Sequence, residues 1–339
     1  MNYILTFHYP KNYGAFLQCF ALQMTLGDSI VLNFIPHWSF FSKNTHPYII
    51  RWAVGLWRRK KMIAEFEEQS KLKTSKRISS AKEASFIQSN DYLIVGSDQI
   101  WNPNFVYDEL VYFGDLPNDI KRISYAVSLG MTAWPKNFED KVLPLLRKFD
   151  TISVREESSV KYLTSLGLEN VVCVCDPTIL HKSDFYRREF QINKQKLSKP
   201  FVYIIREKLP ILLLEIIPND CNVVYLGKEK TLVSVRQWLS NIDNASFVVT
   251  DSFHCIVFCL LFHKPFLALP NQAKGKGMNE RFVTLLRKTH LEYRFLTGQE
   301  TSDEVLEKLN IPIDWNSVDQ ILEEWRIFSL NWLKNALEK

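Results

Sequence analysis

Short apolar segments that end in small polar residues, each followed by a helix-like stretch, constrain the fold of this chain more than any other feature. The clearest unit runs from Ala245 to Leu269, where an apolar segment passes through Thr250-Asp251-Ser252 into a helix-length run that ends at His263-Lys264-Pro265. Strand, polar turn and helix in this order are typical of a βαβ unit with parallel strands. The first N–H groups of the helix, where His254 sits, then lie at the carboxyl edge of the sheet, where an anion can bind.

Two sets of such units are predicted, with a stretch of different composition between them. The stretch from Leu180 to Pro200 is charged and has little apolar periodicity, which favours a domain boundary there. The final segment, from Ser317 to Leu337, has apolar residues at helical spacing and predicts one or two amphipathic helices. The predicted strands are Tyr3–Phe7, Ser29–Phe34, Tyr92–Val95, Arg122–Val127, Thr151–Val154 and Val171–Val174, and then Phe201–Ile205, Asn222–Leu226, Phe247–Val249 and Phe266–Leu269.

Polar clusters follow four consecutive strands of the first set. Because the carboxyl ends of parallel strands meet at one edge of a sheet, such clusters lie where open α/β sheets bind ligands. Caps and turns explain each cluster alone, but their repetition favours a shared cleft. The clusters are Gly96 to Pro103, Ser128 to Gly130, Arg155-Glu156 and Cys175 to Thr178.

Composition excludes several classes of protein. The 339 residues are enough for two domains, and 46% hydrophobic with 23% charged residues is ordinary for a soluble globular protein. A net charge of +5 is too small to indicate nucleic-acid binding. The six cysteines lack zinc-ligand spacing, so we expect no metal and a reducing cytoplasm. Neither a secretory signal nor an apolar run of about 18 residues is visible, so we expect a cytoplasmic, soluble protein.

A basic and aromatic segment, from Trp38 to Lys61, leaves two interpretations open. It contains Arg58-Arg59-Lys60-Lys61 in a helix-like stretch with Trp52 and Trp57. Such a run can rest on an anionic membrane surface or contact a lipid-linked substrate, which would place the protein at the inner membrane face. More often, such a run is a solvated helix face.

Several short motifs occur in a fixed order between about residues 12 and 290. They are Asn12-Tyr13-Gly14-Ala15 with Leu17-Gln18 and Ala21-Leu22-Gln23, Gly96 to Pro103, Ser124-Tyr125-Ala126 with Ser128-Leu129-Gly130, Ile152 to Glu156, Asp176-Pro177-Thr178, Thr250 to His254, Lys264-Pro265-Phe266 and Asn279-Glu280-Arg281. In this order they resemble the polysaccharide pyruvyl transferase family. One position departs: Cys255 stands where the family usually has Gly, and a side chain there is expected to narrow the approach of an anion.

The resemblance implies an α/β, GT-B-like fold with two Rossmann-like domains that face each other across a cleft. The implied parts are residues 1–180 on the sugar-acceptor side, residues 181–315 on the phosphoenolpyruvate side, and a C-terminal helix, residues 316–339, that packs back on the first domain. The implied activity transfers the pyruvyl group of phosphoenolpyruvate onto a sugar as a ketal, in the biosynthesis of bacterial capsular polysaccharide or exopolysaccharide. Phosphoenolpyruvate is then a co-substrate, the acceptor is a sugar or lipid-linked oligosaccharide, and no cofactor is expected.

Candidate site residues follow from the motifs and from the strand ends. His254 is the candidate acid that protonates the donor or the ligand that holds its phosphate, although a histidine there can also be a helix cap without chemistry. Asp98 is the candidate acceptor of a proton from the sugar. Fixed cations suit a donor with a carboxylate and a phosphate. The donor candidates are Arg206, Lys228, Asp251, Ser252 and His254, and the acceptor candidates are Asn12, Tyr13, Gln99 and Trp101.

Two other functions remain open from the sequence. A glycosyltransferase of the same architecture would use a nucleotide-sugar donor and would need a ribose-binding carboxylate and a base-stacking pocket. A non-catalytic binding protein of a polysaccharide pathway would bind ligand without releasing phosphate.

Overall fold

The computed structural model describes residues 1–8, 12–35, 71–106, 110–193, 199–205, 213, 216–217, 221–225, 233–270 and 279–338. The predicted donor residues Arg206 and Lys228 lie outside these ranges, as does the basic run from Arg58 to Lys61. Within the described ranges, every helix is too short or too polar to cross a membrane.

Six parallel strands form the first sheet, in the spatial order β2-β1-β3-β4-β5-β6. Residues of its central strands are buried, which explains why these strands are continuous apolar runs rather than alternating patterns. The order turns back at β1, between β2 and β3, as in doubly wound folds. The strands are β1 Asn2–Leu5, β2 Ser29–Val31, β3 Tyr92–Val95, β4 Lys121–Val127, β5 Thr151–Val154 and β6 Val172–Cys173.

Helix α1 (Tyr13–Leu26) follows β1 and is buried over most of its length. The side chain of Asn12 caps its start by accepting the N–H of Gly14 at 3.0 Å. Its end is set by Gly27, whose φ of 68° is a left-handed conformation that glycine adopts without strain. The other helices of this domain are α2 (Pro103–Val106), α3 (Lys136–Leu146) and α4 (Glu157–Ser165), with 3-10 turns at Ala81–Ala84, Leu110–Phe113 and Pro177–Leu180.

The second sheet has four parallel strands in the order β10-β9-β7-β8. These strands are β7 Phe201–Ile204, β8 Asn222–Tyr225, β9 Val248–Thr250 and β10 Phe266–Ala268. Around them lie α5 (Ser183–Glu189), α6 (Val235–Asp243), α7 (Phe253–Phe262), α8 (Glu280–Lys288), α9 (Ser302–Asn310) and a 3-10 turn at Glu292–Arg294. Every residue of α7 is buried, as expected for a helix that is apolar all round.

The last helix, α10 (Trp315–Leu337), returns from the second domain to the first. The hydroxyl of Ser329 accepts the N–H of Cys175 at 2.9 Å, and Nε of Arg326 donates to the carbonyl of Ile179 at 2.6 Å. At the far end, the hydroxyl of Tyr92 donates to the carbonyl of Leu337 at 2.9 Å. The single long helix therefore spans the first domain beside the turn that carries Asp176.

The two domains share one apolar core as well as this helix. A single hydrophobic cluster includes Phe16 of α1, Ile179 of the 3-10 turn and Phe258 of α7. The hydroxyl of Tyr13 also donates to the carbonyl of Val233 in the second domain, at 2.9 Å. Two facing parallel-sheet domains with a returning helix form the GT-B-like fold that the sequence predicts, while the exact domain boundaries stay a prediction.

Candidate functional site

The candidate site lies where the carboxyl edge of the first sheet meets the start of α7. The imidazole of His254, in the first turn of α7, is only 4% exposed. It packs directly on Gly14 at the start of α1: a Cβ atom added to Gly14 would lie 2.0 Å from Nδ1 of His254 and 2.4 Å from Cγ. Only glycine leaves room for this ring, which gives the Asn-Tyr-Gly turn of the sequence a steric reason.

Asp176 faces the other nitrogen of His254. Its Oδ2 lies 3.4 Å from Nε2 of His254, without the alignment of a hydrogen bond. The same oxygen accepts hydrogen bonds from Nη1 of Arg155 at 2.6 Å and from the hydroxyl of Ser97 at 3.0 Å. Oδ1 accepts from the N–H and the hydroxyl of Thr178, at 3.0 and 2.6 Å.

The ionisation of Asp176 follows from these partners. Burial alone would raise the pKa of this carboxyl, since it favours the neutral form. The neighbouring His254 and Arg155 and the hydrogen bonds from Thr178 outweigh burial and hold the pKa of Asp176 well below its usual range. A carboxylate that stays ionised can only accept hydrogen bonds. It therefore favours a proton on Nε2 of His254.

The guanidinium of Arg155 has donor groups without a hydrogen-bond acceptor. It is 1% exposed, and within the described residues only its Nη1 is hydrogen-bonded, while Nε and Nη2 have no hydrogen-bond partner. Oδ1 of Asp98 lies 3.9 Å from Nη2, and Oε1 of Glu156 lies 3.9 Å from Nε, both beyond hydrogen-bond range. Its Cζ stands 4.4 Å from the ring centre of Phe253. Although burial opposes it, the attraction of Asp176 and Glu156 raises the pKa of Arg155.

Two further carboxyl groups line the same edge. Burial raises the pKa of Glu156, which accepts hydrogen bonds from the hydroxyls of Ser128 and Ser159. Asp98 has a φ of 77°, in the left-handed region where Asp is one of the better-tolerated residues. Its Oδ1 accepts the N–H of Gln99 at 2.9 Å, and this fixes the carboxylate beside Arg155. Backbone strain of this kind concentrates at functional sites.

The starts of α1 and α7 both point toward this cluster, and each carries unsatisfied N–H groups and a partial positive charge. In α7, the hydroxyl of Ser252 accepts the N–H of Cys255 at 3.4 Å. The N–H groups of Phe253 and His254 have no acceptor among the described residues. Cys255 itself is fully buried in the hydrophobic cluster, so its side chain packs inward.

Of the predicted acceptor residues, Asn12 is partly exposed and the other three are buried. Asn12 caps α1, Gln99 follows Asp98 and is 4% exposed, and Tyr13 and Trp101 are fully buried. Tyr13 stacks on Trp238 with ring centres 5.0 Å apart, and Nε1 of Trp101 donates to the carbonyl of Tyr112 at 2.8 Å. In this arrangement the last two side chains shape the site from below and do not present a face to a sugar.

The predicted donor residues of the second domain that the structure describes lie at the start of α7. Ser252 is its N-cap. Oδ1 of Asp251 accepts the N–H of Ile205 at 2.7 Å, which ties the end of β7 to this turn.

Three charged residues of the site were not assigned a role from the sequence, although the motifs contain them: Arg155, Asp176 and Arg281. The last is mostly buried in α8, and its Cζ lies 5.7 Å from the centre of the Phe253 ring that Arg155 also covers. Their positions in the sequence could have indicated a role in the site, because Arg155 and Asp176 each follow a predicted strand. Among the described residues, no group of three His, Cys, Asp or Glu side chains has the arrangement to hold a metal ion.

Solved structures with a similar fold include sugar-nucleotide enzymes. The chain is similar to UDP-N-acetylglucosamine 2-epimerase from Rickettsia bellii, with a TM-score of 0.51 and 13% identity over 98% of this chain and 94% of that chain. It is also similar to a proposed UDP-N-acetylglucosamine 2-epimerase from Listeria monocytogenes, with a TM-score of 0.50 and 10% identity over 95% of this chain and 90% of that chain. At such identities the likeness shows the fold alone. A search of curated protein sequences found no significant match.

The family model for polysaccharide pyruvyl transferase matches residues 12–272, well over half of the chain. The matched range contains Gly14, Asp98, Arg155, Asp176 and His254, the residues that meet at the cleft. Sequence and site geometry thus concern the same residues, and the chain belongs to the polysaccharide pyruvyl transferase family.

Proposed function

We propose that this transferase takes the pyruvyl group from phosphoenolpyruvate and attaches it to two hydroxyls of a sugar as a ketal. The observation that carries the proposal is a set of donors without an acceptor among the described residues: Nε and Nη2 of Arg155, and the first N–H groups of α7. Buried donors without acceptors are costly unless a ligand completes them. A small molecule with two anionic groups is the ligand that such a set fits best.

In this proposal, phosphoenolpyruvate is bound by donor groups at fixed positions and not by net positive charge alone. A guanidinium has a planar edge that pairs with a carboxylate or phosphate through two hydrogen bonds. In Arg155, Asp176 holds Nη1 and leaves Nη2 and Nε free for such a pair. The N-terminus of α7 suits the second anionic group. Asp251 and Ser252 shape this turn, and Arg206 and Lys228 stay predicted donor ligands.

The reaction balances as follows. The methylene carbon of phosphoenolpyruvate takes a proton and becomes a methyl group, and the neighbouring carbon gains oxocarbenium character. One sugar hydroxyl bonds to that carbon and loses its proton. The carbon–oxygen bond to phosphate then breaks, phosphate leaves with the electron pair, and the second hydroxyl closes the ketal. Of the two hydroxyl protons, one replaces the proton given to the methylene carbon and the other leaves on phosphate.

In this proposal, His254 serves the proton transfer or binds the leaving phosphate. Its ring is fixed between Gly14 and Asp176, and the ionised Asp176 favours a proton on Nε2. Asp98 is the proposed base that takes a proton from the sugar. Asn12 and Gln99 are the proposed sugar contacts, with Tyr13 and Trp101 supporting them from below.

The biological setting is also part of the proposal. We place the reaction in the biosynthesis of a bacterial capsular or other cell-surface polysaccharide. Phosphoenolpyruvate is an intracellular metabolite, which supports a cytoplasmic reaction. A lipid-linked acceptor and contact with the inner membrane face depend on the segment from Trp38 to Lys61, which lies outside the described residues.

The direct test is incubation with phosphoenolpyruvate and a panel of galactose, mannose and amino-sugar acceptors, with products identified by mass. The expected product is heavier than the acceptor by pyruvic acid minus water, and phosphate is released in equal amount. His254→Asn should lower turnover by at least about a hundredfold, the usual loss for an acid–base group. The control is His290→Asn at an exposed site away from the cleft.

Two other results would contradict the proposal. Transfer of a sugar residue from a nucleotide sugar would identify a glycosyltransferase, and binding of a sugar without phosphate release would identify a binding protein. Near-normal turnover by the His254 variant would remove this histidine from the mechanism.

A further inference from the structure

A surface cavity of about 340 Å³ lies at the edge of the first sheet opposite the candidate site. The end of α3, the start of β5, the loop between α4 and β6, and α10 form its walls. Thr151 begins β5 at the cavity, and Arg155 follows the other end of the same strand. At about 3.3 Å per residue, the strand separates the two by roughly 13 Å. The cavity is therefore distinct from the cleft.

The lining combines aromatic faces with polar groups. Phe149 and Trp332 are partly exposed, while Arg147, Glu169 and Asn170 are exposed. Across the described ranges, no side-chain hydrogen bond or ion pair engages these last three residues.

An unbonded hydroxyl adds to this set. Thr151 also lines the cavity, and its buried Oγ1 has no hydrogen-bond partner. The cavity surface thus carries a guanidinium, a carboxylate and an amide without protein partners, and the Thr151 hydroxyl lies buried beside it.

The loop that carries Glu169 and Asn170 has a fixed shape. Gly167 has a φ of 81° and Asn170 a φ of 56°, so both are left-handed. Gly167 and Leu168 close the end of α4 through backbone hydrogen bonds to Thr164 and Leu163, at 3.0 and 3.3 Å. Because Asn is among the few non-glycine residues that tolerate this conformation, its amide can be kept at the rim at little cost.

We propose that this cavity is a second saccharide-binding site, which holds a sugar unit of the polysaccharide acceptor away from the reacting unit. Aromatic side chains can pack on the apolar face of a sugar ring, while the carboxylate, amide and guanidinium match its hydroxyls. The mixed charges of Arg147, Asp150 and Glu169 disfavour a multiply charged anion. The volume is at the lower end of the range for small-ligand sites. The choice of a saccharide as the ligand rests on the proposed function, whereas the cavity and its lining do not.

A remote site changes how acceptor length affects binding. A long acceptor can occupy the cavity and the cleft together, so the second contact becomes intramolecular and raises the overall affinity. A monosaccharide cannot reach both. Loss of the cavity should therefore weaken binding of long acceptors and leave the reaction of short ones unchanged.

The test compares two sets of variants by isothermal titration calorimetry. The probes are maltotetraose, mannotetraose and N-acetylchitotetraose, together with their monosaccharides. Glu169→Ala combined with Asn170→Gly removes two ligand groups and keeps the left-handed backbone conformation of residue 170. Lys161→Gln, at an exposed position of α4, is the control for the cavity. Asp98→Asn is the matched change in the cleft.

The cavity variant is expected to bind the responding tetrasaccharide at least about tenfold more weakly, while Lys161→Gln retains that binding. Equal binding by the cavity variant and the unchanged protein would overturn the proposal, as would a loss caused only by Asp98→Asn. Absence of binding for every probe would overturn it too. Phosphate release from phosphoenolpyruvate with monosaccharides is measured in parallel. Its absence in all proteins would reject the proposed function and leave the binding result to decide the cavity.

Discussion

At the scale of single residues, the contact between Gly14 and His254 joins the two domains at the reactive point. The glycine is in a helix, so its role is not a special backbone conformation. Its role is the missing side chain, since a Cβ would lie 2.8 Å or less from three side-chain atoms of His254, two of them in the imidazole. Contacts under 3.0 Å force a displacement, and the ring would have to leave its position beside Asp176.

Gly14→Ala should therefore lower turnover strongly and cost about 1 to 3 kcal/mol of stability, the usual range for overpacking. His254→Ala removes the ring but keeps a Cβ 2.8 Å from the added atom, so the same glycine change should cost less in that background. The free energy of unfolding of the four proteins, measured with denaturant, gives the coupling between the two positions. An equal cost of Gly14→Ala in both backgrounds would show that the clash is elsewhere.

Some residues of the site could be identified from the sequence, and the contacts or burial of others could not. His254 was identifiable because its motif places it in the first turn of a helix after a strand. Arg155 and Asp176 were visible as polar residues after strands, but their mutual contact depends on the neighbouring positions of β5 and β6 in the sheet. Sequence does not give that order. Burial of Tyr13 and Trp101 was hidden for a related reason, since a turn residue can face the cleft or the core.

At the scale of elements, α10 holds the turn that carries Asp176. Ser329 and Arg326 bond the backbone of Cys175 and Ile179, on either side of Asp176. The apolar spacing of this segment predicted one or two amphipathic helices, and the structure has one, from Trp315 to Leu337. The pattern could not predict the backbone contacts, because Ser329 and Arg326 are polar residues on an otherwise apolar face.

Ser329→Val should leave the buried N–H of Cys175 without an acceptor. The expected cost is about 1 to 3 kcal/mol of stability. Because the turn is displaced, turnover should also fall. Asn331→Ala, at an exposed position of the same helix, is the control and should change neither quantity. Thermal unfolding and phosphate release measure the two effects, and a Ser329 variant that matches the control would exclude this role for α10.

At the scale of the whole molecule, the cluster between the domains makes stability depend on pH. The pKa of Asp176 is lowered on folding, so its contribution is present above the unfolded value of about 4 and is lost as the pH falls toward the folded value. Glu156 acts in the opposite direction, because its pKa is raised on folding. Its effect on the free energy of unfolding occurs at higher pH, above the ordinary pKa of a glutamate.

We therefore expect the free energy of unfolding to decrease below about pH 4, and Asp176→Asn to remove part of that decrease. At neutral pH the same variant should lose about 3 to 5 kcal/mol, because Arg155 is left buried without its partner. Asp119→Asn is the control, since that side chain is fully exposed. Denaturant unfolding from pH 7 to pH 3 measures both effects. Parallel pH curves for Asp176→Asn and the control would contradict the assignment.

Two sets of parallel strands were predictable from the alternation of apolar segments and helices, while the GT-B-like arrangement followed from the family resemblance. Strands β3 and β5 begin and end where the sequence predicted. Thr250 differs: it was expected in the turn but ends β9, where its hydroxyl donates to the carbonyl of Tyr203 at 2.7 Å. The apolar pattern could not predict how closely the two domains pack, since this depends on one continuous core that contains residues of both domains.

The return of α10 also has a consequence for the order in which the chain folds during synthesis. The ribosome makes the strands of the first domain early, but the helix that bonds Cys175 and Tyr92 comes at the end of this sequence. The second domain lies between them along the chain. The first domain can therefore form its sheet as it emerges, yet it fixes the turn of Asp176 only after the second domain has been made. A nascent chain that stops before Trp315 should hold this turn without its final support.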